Sequence, residues 1–142
     1  MTEYLVDTNV ISETARPKPD PAVLSWLGGQ AQAWLSVVSL YEIARGIKLA
    51  RAGRRREFLE EWFQKVQGGA FQPLPFDESA ALVAAEIEAE GRQKGRNIEV
   101  RDLFLLASAR SRRLAIATRN VAHFRGFGVT VHDPFSDGST KA

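Results

Sequence analysis

The segment Tyr4-Leu5-Val6, an apolar run that stops abruptly at Asp7-Thr8-Asn9, constrains this chain more than any other. A strand buried in a parallel sheet reads as a short apolar run bounded by polar residues. Ligands of open α/β sheets bind just beyond the carboxyl ends of such strands. Asp7 therefore stands where a cation, or a group activated by one, would be held. Residues 3–6 read as the first strand, Trp34 to Val38 as a second and Leu114 to Thr118 as a third. A short further strand is expected around Val129-Thr130-Val131.

Helical segments separate these runs. A short turn is predicted through Val10-Ile11-Ser12, and the proline-rich stretch Arg16 to Pro21 reads as a loop. Asp20 caps the next helix, with Pro21 in its first position, Leu24 and Leu27 along one face beside Trp26, and Gly28-Gly29 at its end. Ser39 begins a helix to about Ala50, and Arg54 to Val66 forms another. Phe71 to Phe76 is a short extended segment punctuated by prolines. Asp77 caps a long helix to about Lys94, with Leu82, Val83, Ala85 and Ile87 as core residues. After a loop from Gly95 to Glu99, Val100 to Arg112 is apolar at helical spacing. Strands alternating with helices predict an α/β fold, a parallel sheet covered by helices. One domain is expected over residues 1–135, with a loose tail at 136–142.

The 142 residues include no cysteine and two histidines, which excludes disulfides, thiolate metal sites and cysteine nucleophiles. A metal, if bound, has oxygen ligands, which favours Mg²⁺ or Mn²⁺. No apolar run is long enough to span a membrane and no signal peptide is legible, so a cytoplasmic location is expected. Net charge is only +2, yet it is unevenly spread. Ile43 to Arg56 carries six basic residues and Leu103 to His132 carries five arginines, with no acid in either stretch. Such separation suits a polyanion approaching basic surfaces around a carboxylate site, and equally a set of solvated helix faces.

Three acids are candidates for that site. Asp7 follows the first strand. Glu42 lies in Ser39-Leu40-Tyr41-Glu42, the spacing of a capping box, in which a glutamate reaches back to the cap residue's N–H. That role does not exclude another, because the first turn of a helix can face the same rim as Asp7. Asp102 lies in the first turn of its helix, where the dipole favours an acid by about 0.3–1 kcal/mol. Thr118 and Asn120, after the third strand, offer a hydroxyl and an amide oxygen; an asparagine there is also a common turn residue. Clustered carboxylates repel, by up to ~4 kcal/mol for a pair about 4 Å apart at an effective dielectric near 20. A divalent ion removes that penalty, and hard cations held by carboxylates support phosphodiester hydrolysis.

The motifs carrying these residues resemble those of PIN domains, the PilT N-terminus ribonucleases. Leu5-Val6-Asp7-Thr8-Asn9-Val10-Ile11-Ser12-Glu13 is similar to the family's opening. Ser39-Leu40-Tyr41-Glu42-Ile43-Ala44-Arg45-Gly46 resembles its second motif. Asp102 with Leu105 to Ala109 resembles the third, and Ala117-Thr118-Arg119-Asn120 with Phe124 the fourth. Leu74-Pro75-Phe76-Asp77 and Asp133-Pro134-Phe135 resemble the VapC toxin branch, especially its FitB-like members.

The resemblance implies a PIN-like α/β/α sandwich and a Mg²⁺- or Mn²⁺-dependent endoribonuclease. It implies Asp7, Glu42 and Asp102 as catalytic and metal-binding acids, with Thr8, Thr118 and Asn120 as accessory polar groups. It further implies a toxin of a type II toxin–antitoxin module: an RNA substrate, a cognate antitoxin, DNA reached only through that antitoxin, and a homodimer. Helices from Ser39 to Val66, carrying Leu40, Ile43, Ile47, Leu59, Trp62 and Phe63, would help form the antitoxin groove; the same side chains equally suit the core. Many family members carry a further acid in the fourth motif, where this chain has Asn120 and His123. That departure leaves a second reading, a PIN-like module that binds RNA or an antitoxin without significant cleavage. His123 and His132 are expected in loops. A dehalogenase-like phosphatase would need a second acid where Asn9 stands, and no Walker loop or Gly-x-Ser-x-Gly elbow is present.

Overall fold

In the computed structural model, which describes residues 1–135, five parallel strands form one sheet in the order β3-β2-β1-β4-β5. The strands are β1 (Tyr4–Val6), β2 (Ala33–Ser36), β3 (Gln72–Leu74), β4 (Ala115–Ala117) and β5 (Val131–His132). The helices are α1 (Thr8–Glu13), α2 (Pro21–Gly28), α3 (Val37–Leu49), α4 (Arg54–Lys65), α5 (Glu78–Gln93), α6 (Val100–Arg112) and α7 (Val121–Phe124). The tail expected at 136–142 lies outside the described residues. No helix among the described residues is long and apolar enough to cross a membrane.

Successive residues of β1 point to opposite faces of the sheet, and each face has its own core. Leu5 joins Ile87, Leu103, Leu106, Ile116, Phe124 and Phe127 beneath α5, α6 and α7. Val6 joins Val10, Ile11, Val23, Leu35, Ile43 and Ile47 beneath α1, α2 and α3. The result is the expected three-layer α/β/α arrangement. Register is set by β1, where Tyr4 pairs with both Ala33 and Ala115, and Leu5 with Trp34 and Ile116. The edge segment β3 pairs parallel to β2 and carries Pro73, a residue tolerated only where a strand has a free side.

Several local expectations are corrected. Helix α3 begins at Val37, not Ser39, because Ser36 is the cap and its hydroxyl accepts from the Val38 N–H at 3.0 Å. Strand β2 correspondingly ends two residues early. Ser39 lies inside the helix, wholly buried, and its hydroxyl has no hydrogen-bond partner among the described residues. Leu24 and Leu82 are exposed, as is Ala85; the buried positions of α2 and α5 are Val23, Ala80, Ala84, Ile87 and Gly91. Ile87 is core as expected, and Leu27 and Val83 pack partly buried against the cores, so the periodicity found the right helices and misplaced only part of each face. His123 ends up in α7 and His132 in β5, neither in a loop. The expected caps at Asp20 and Asp77 hold, accepting from the Ala22 and Ala80 N–H groups.

The sheet order reverses direction between β1 and β4. Crevices at such switch points, outside the carboxyl ends of the strands, are where open α/β folds bind ligands. Asp7 and Thr118 each follow one of these two strands.

Candidate active site

Asp7 is fixed by its own backbone before any partner is considered. Its N–H donates to the Ala117 carbonyl at 2.9 Å, extending the β1–β4 ladder by one residue. Its side chain then caps α1, with Oδ1 accepting from the Thr8 N–H at 2.7 Å. Oδ2 accepts from the Thr118 hydroxyl at 2.8 Å and from Asn9 Nδ2 at 3.3 Å. The carboxylate is wholly buried, and this ring of donors replaces the water it has lost.

Glu42 comes from the second turn of α3. With Val37 as the first helical residue, Glu42 is the sixth, too far along to reach the helix's own cap. The capping-box role is therefore absent, and the side chain turns across the cleft. Its Oε1 accepts from the Thr8 hydroxyl at 2.9 Å. Asp102 occupies the third position of α6 and is buried. Its Oδ2 lies 3.0 Å from His123 Nδ1. Burial is the main influence on the Asp102 carboxyl and raises its pKa above the usual aspartate value, while Arg101 and His123 pull the other way.

The three acids meet at one cation supplied by the chain itself. Arg101 directs a different guanidinium nitrogen to each of them. Nη2 binds Asp7 Oδ1 at 2.6 Å, Nη1 binds Asp102 Oδ1 at 2.7 Å, and Nε binds Glu42 Oε2. Burial acts against the Arg101 charge, yet the three carboxylates outweigh it and raise the pKa above the ordinary arginine value. Among the described residues no three acidic or histidine side chains form a ready-made metal cage, and Arg101 sits at the focus of the three acids. The donor chemistry nonetheless suits a hard cation: three carboxylates, from three separate segments, directed at one positive charge.

Of the accessory residues, Thr8 and Thr118 join the cluster as expected. Asn120 does so only through its main chain, donating its N–H to Thr118 Oγ1 at 3.0 Å, while its side chain is exposed. Three further residues belong to the site. Asn9 bridges the ends of β1 and β4, donating to Asp7 and accepting from the Arg119 N–H at 3.1 Å. His123 holds Asp102, and Arg101 holds all three acids. Arg101 left only a weak local trace, a cation in the first turn of a helix, where it opposes the dipole. Glu13, also within the opening motif, is buried elsewhere and accepts from the Asp20 N–H at 2.8 Å.

Basic residues outside the cluster have their own roles. Arg119 stacks over Phe135 at 4.4 Å, and Arg55 donates to the Ala15 carbonyl at 3.2 Å. The expected groove helices divide: Ile43 and Ile47 are core, whereas Leu40, Leu59, Trp62 and Phe63 are half-buried. A groove of about 640 Å³ opens between α2 and α4, lined by Leu24, Leu27, Phe58, Trp62 and Phe71 among others.

The chain matches known proteins over nearly its whole length. The toxin FitB of Neisseria gonorrhoeae is 33% identical over 137 residues, covering 94% of this chain and 99% of FitB. The VapC ribonuclease Y4jK of Sinorhizobium fredii is 30% identical over 135 residues, covering 92% of this chain and 96% of that protein. The crystal structure of FitAcB from Neisseria gonorrhoeae superposes with a TM-score of 0.85 at 32% identity, covering 92% of this chain and 97% of that one. The family model described as PIN domain matches residues 4–126, a span holding every member of the acidic cluster, and the chain belongs to that family.

Proposed function

We propose that this chain is a divalent-metal-dependent endoribonuclease, the toxin of a type II toxin–antitoxin module, and that Asp7, Glu42 and Asp102 are its catalytic acids. The observation that carries the reading is the meeting of these acids, from the ends of β1 and the starts of α3 and α6, on a single positive charge. The name of the Sinorhizobium relative, a VapC ribonuclease, points to the same chemistry.

Mg²⁺ or Mn²⁺ bound there would supply an activated water and charge neutralisation at the scissile phosphate. The chain's own residues do the positioning. Thr118 and Asn9 fix the rear oxygen of Asp7, Thr8 fixes that of Glu42, and His123 fixes that of Asp102. The other oxygen of each acid is thereby aimed inward. An apolar groove between α2 and α4 suits an antitoxin segment, and the FitAcB neighbour supports a partner of that kind. DNA would be reached only through such an antitoxin. We also propose a homodimer and a cytoplasmic location.

The test is cleavage of single-stranded RNA by the purified chain with Mg²⁺ or Mn²⁺, with and without chelator. Asp7→Asn is nearly isosteric and removes the charge; its single amide oxygen can still accept from the Thr8 N–H, while the amide nitrogen in place of Oδ2 can no longer accept from Thr118. It is expected to lower the rate by a hundredfold or more, roughly the 3 kcal/mol or so typical of losing one key electrostatic group. Unchanged cleavage in Asp7→Asn/Asp102→Asn would sink the assignment. Because Arg101 occupies the focus of the acids, a second reading has a specific basis: a PIN module that binds RNA or antitoxin without cutting. RNA binding without metal-dependent cleavage would favour it.

A further inference from the structure

Every oxygen of the acidic cluster is engaged, and the division of labour among them is informative. Asp7 Oδ2, Glu42 Oε1 and Asp102 Oδ2 are held by neutral hydroxyls, an amide and a histidine ring on the surrounding wall. Asp7 Oδ1, which also caps α1 through the Thr8 N–H, Glu42 Oε2 and Asp102 Oδ1 are the three turned to the common centre, and Arg101 binds all three. A divalent ion seeking these carboxylates would therefore compete with Arg101 for the same three oxygens. Three carboxylates and one guanidinium leave a residual charge of −2, so the cluster still attracts such an ion. Arginine does not give up its proton to make room. It has to leave as a cation, and a departing cation is stabilised by an arriving anion.

We infer that Arg101 is an exchangeable internal counter-ion, which a divalent cation displaces from the carboxylates and which then meets the phosphodiester backbone of the RNA. The inference rests on the metal-dependent reading above. Metal and RNA then bind with positive coupling. The ion releases the guanidinium toward phosphate, and phosphate draws the guanidinium off the carboxylates. Linkage makes this reciprocal, so each ligand raises the affinity for the other by the same factor. The Arg101 side chain is 29% exposed, which puts it at the cleft rim with solvent on one side. Arg101 thereby becomes a positioning residue that joins metal loading to substrate arrival.

The experiment is calorimetric titration of Mn²⁺ into the full chain, without RNA and then with a 2′-O-methyl RNA oligonucleotide as a non-reacting probe. Arg101→Gln removes the competing cation and is expected to bind Mn²⁺ at least about tenfold tighter than the wild type, within the 5- to 150-fold usual for coupled sites. The oligonucleotide is expected to tighten Mn²⁺ binding by a larger factor in the wild type than in Arg101→Gln, where only the direct attraction between metal and phosphate remains; an equal factor in both overturns the inference. Equal or weaker Mn²⁺ affinity in a natively folded Arg101→Gln overturns the displacement while leaving the metal site intact. If neither protein binds Mn²⁺, both the metal reading and the displacement fail. Should Arg101→Gln not fold, Arg101→Lys serves instead. Its single ammonium cannot hold three acids with separate nitrogens, so an intermediate affinity is expected, and wild-type affinity overturns the inference.

Discussion

The start of α3 decides where Glu42 points, and two serines test it. Ser36 and Ser39 are both wholly buried, and in each case the change to alanine deletes one hydroxyl. The terms for burial and lost volume are therefore similar and largely cancel between the two variants. Their hydrogen bonding is opposite. Ser36 Oγ accepts from the Val38 N–H at 3.0 Å and caps the helix; Ser39 Oγ has no partner among the described residues. Ser36→Ala removes an N-cap and leaves the half-buried Val38 without its N–H acceptor, with an expected loss of about 1–2 kcal/mol. Ser39→Ala removes an unsatisfied hydroxyl and places the best helix former in a helix interior. Its expected effect runs from zero to a gain of about 1 kcal/mol.

For a chain of this size a kilocalorie moves the melting temperature by roughly 3–4 °C. Ser36→Ala is expected to melt about 3–8 °C below the wild type, and Ser39→Ala at or slightly above it. Calorimetric melts and urea titrations of the pair measure the difference directly. If Ser39→Ala loses more than Ser36→Ala, Ser39 is the cap after all. Glu42 then sits at the third helical position, turned back to its own backbone, and the three-acid cluster loses a member.

Other expectations follow from the surrounding contacts. Glu90 accepts two hydrogen bonds from Arg110, at 3.0 and 2.7 Å, and these are the main cause of its lowered pKa. A depressed carboxylate stabilises the fold above its unfolded value of 4.5 and loses that contribution as the pH falls through its folded one. Glu90→Gln should therefore flatten the melting-temperature profile below about pH 4.5, an effect kept small by exposure; an unaltered acid limb would refute it. Arg96 donates to the carbonyls of Ala122, His123 and Arg125 and packs over Phe127 at 4.5 Å, clamping the end of α7. Arg96→Ala should speed amide exchange across residues 121–127 and lower RNA cleavage by loosening His123 from Asp102, without abolishing it. Unchanged exchange there would show that the clamp is dispensable.

What the sequence disclosed about the fold were features with strong local signatures. Pro21 after Asp20 and the all-apolar Leu114 to Ala117 permit few alternatives, and α2 and β4 lie where they predict. The start of α3 is ambiguous in the sequence because two serines three residues apart each satisfy a helix-start pattern. Only the pairing of Ser36 with Leu74 across the sheet shows that the first belongs to the strand end. Leu24 and Leu82 lie on the exposed side because a helix's apolar stripe is wide enough that its centre shifts by a residue without changing the period.

The site was half legible for a deeper reason. Acids at strand ends and helix starts announce a focus of negative charge, and Asp7, Glu42 and Asp102 do converge. A convergence of three negative charges cannot persist in a buried cleft without a compensating cation. Carboxylates spaced in this way suit a divalent ion from outside the chain, but the chain supplies a cation of its own. It lies one residue from Asp102. Arg101 reads as an ordinary charged residue next to an acid until β1, α3 and α6 bring their ends together, since its three partners are 94, 59 and 1 residues away along the chain. The same geometry separates this site from one preformed around a metal. Its carboxylates are already paired with a cation of the chain itself, so no external ion is needed to hold them together.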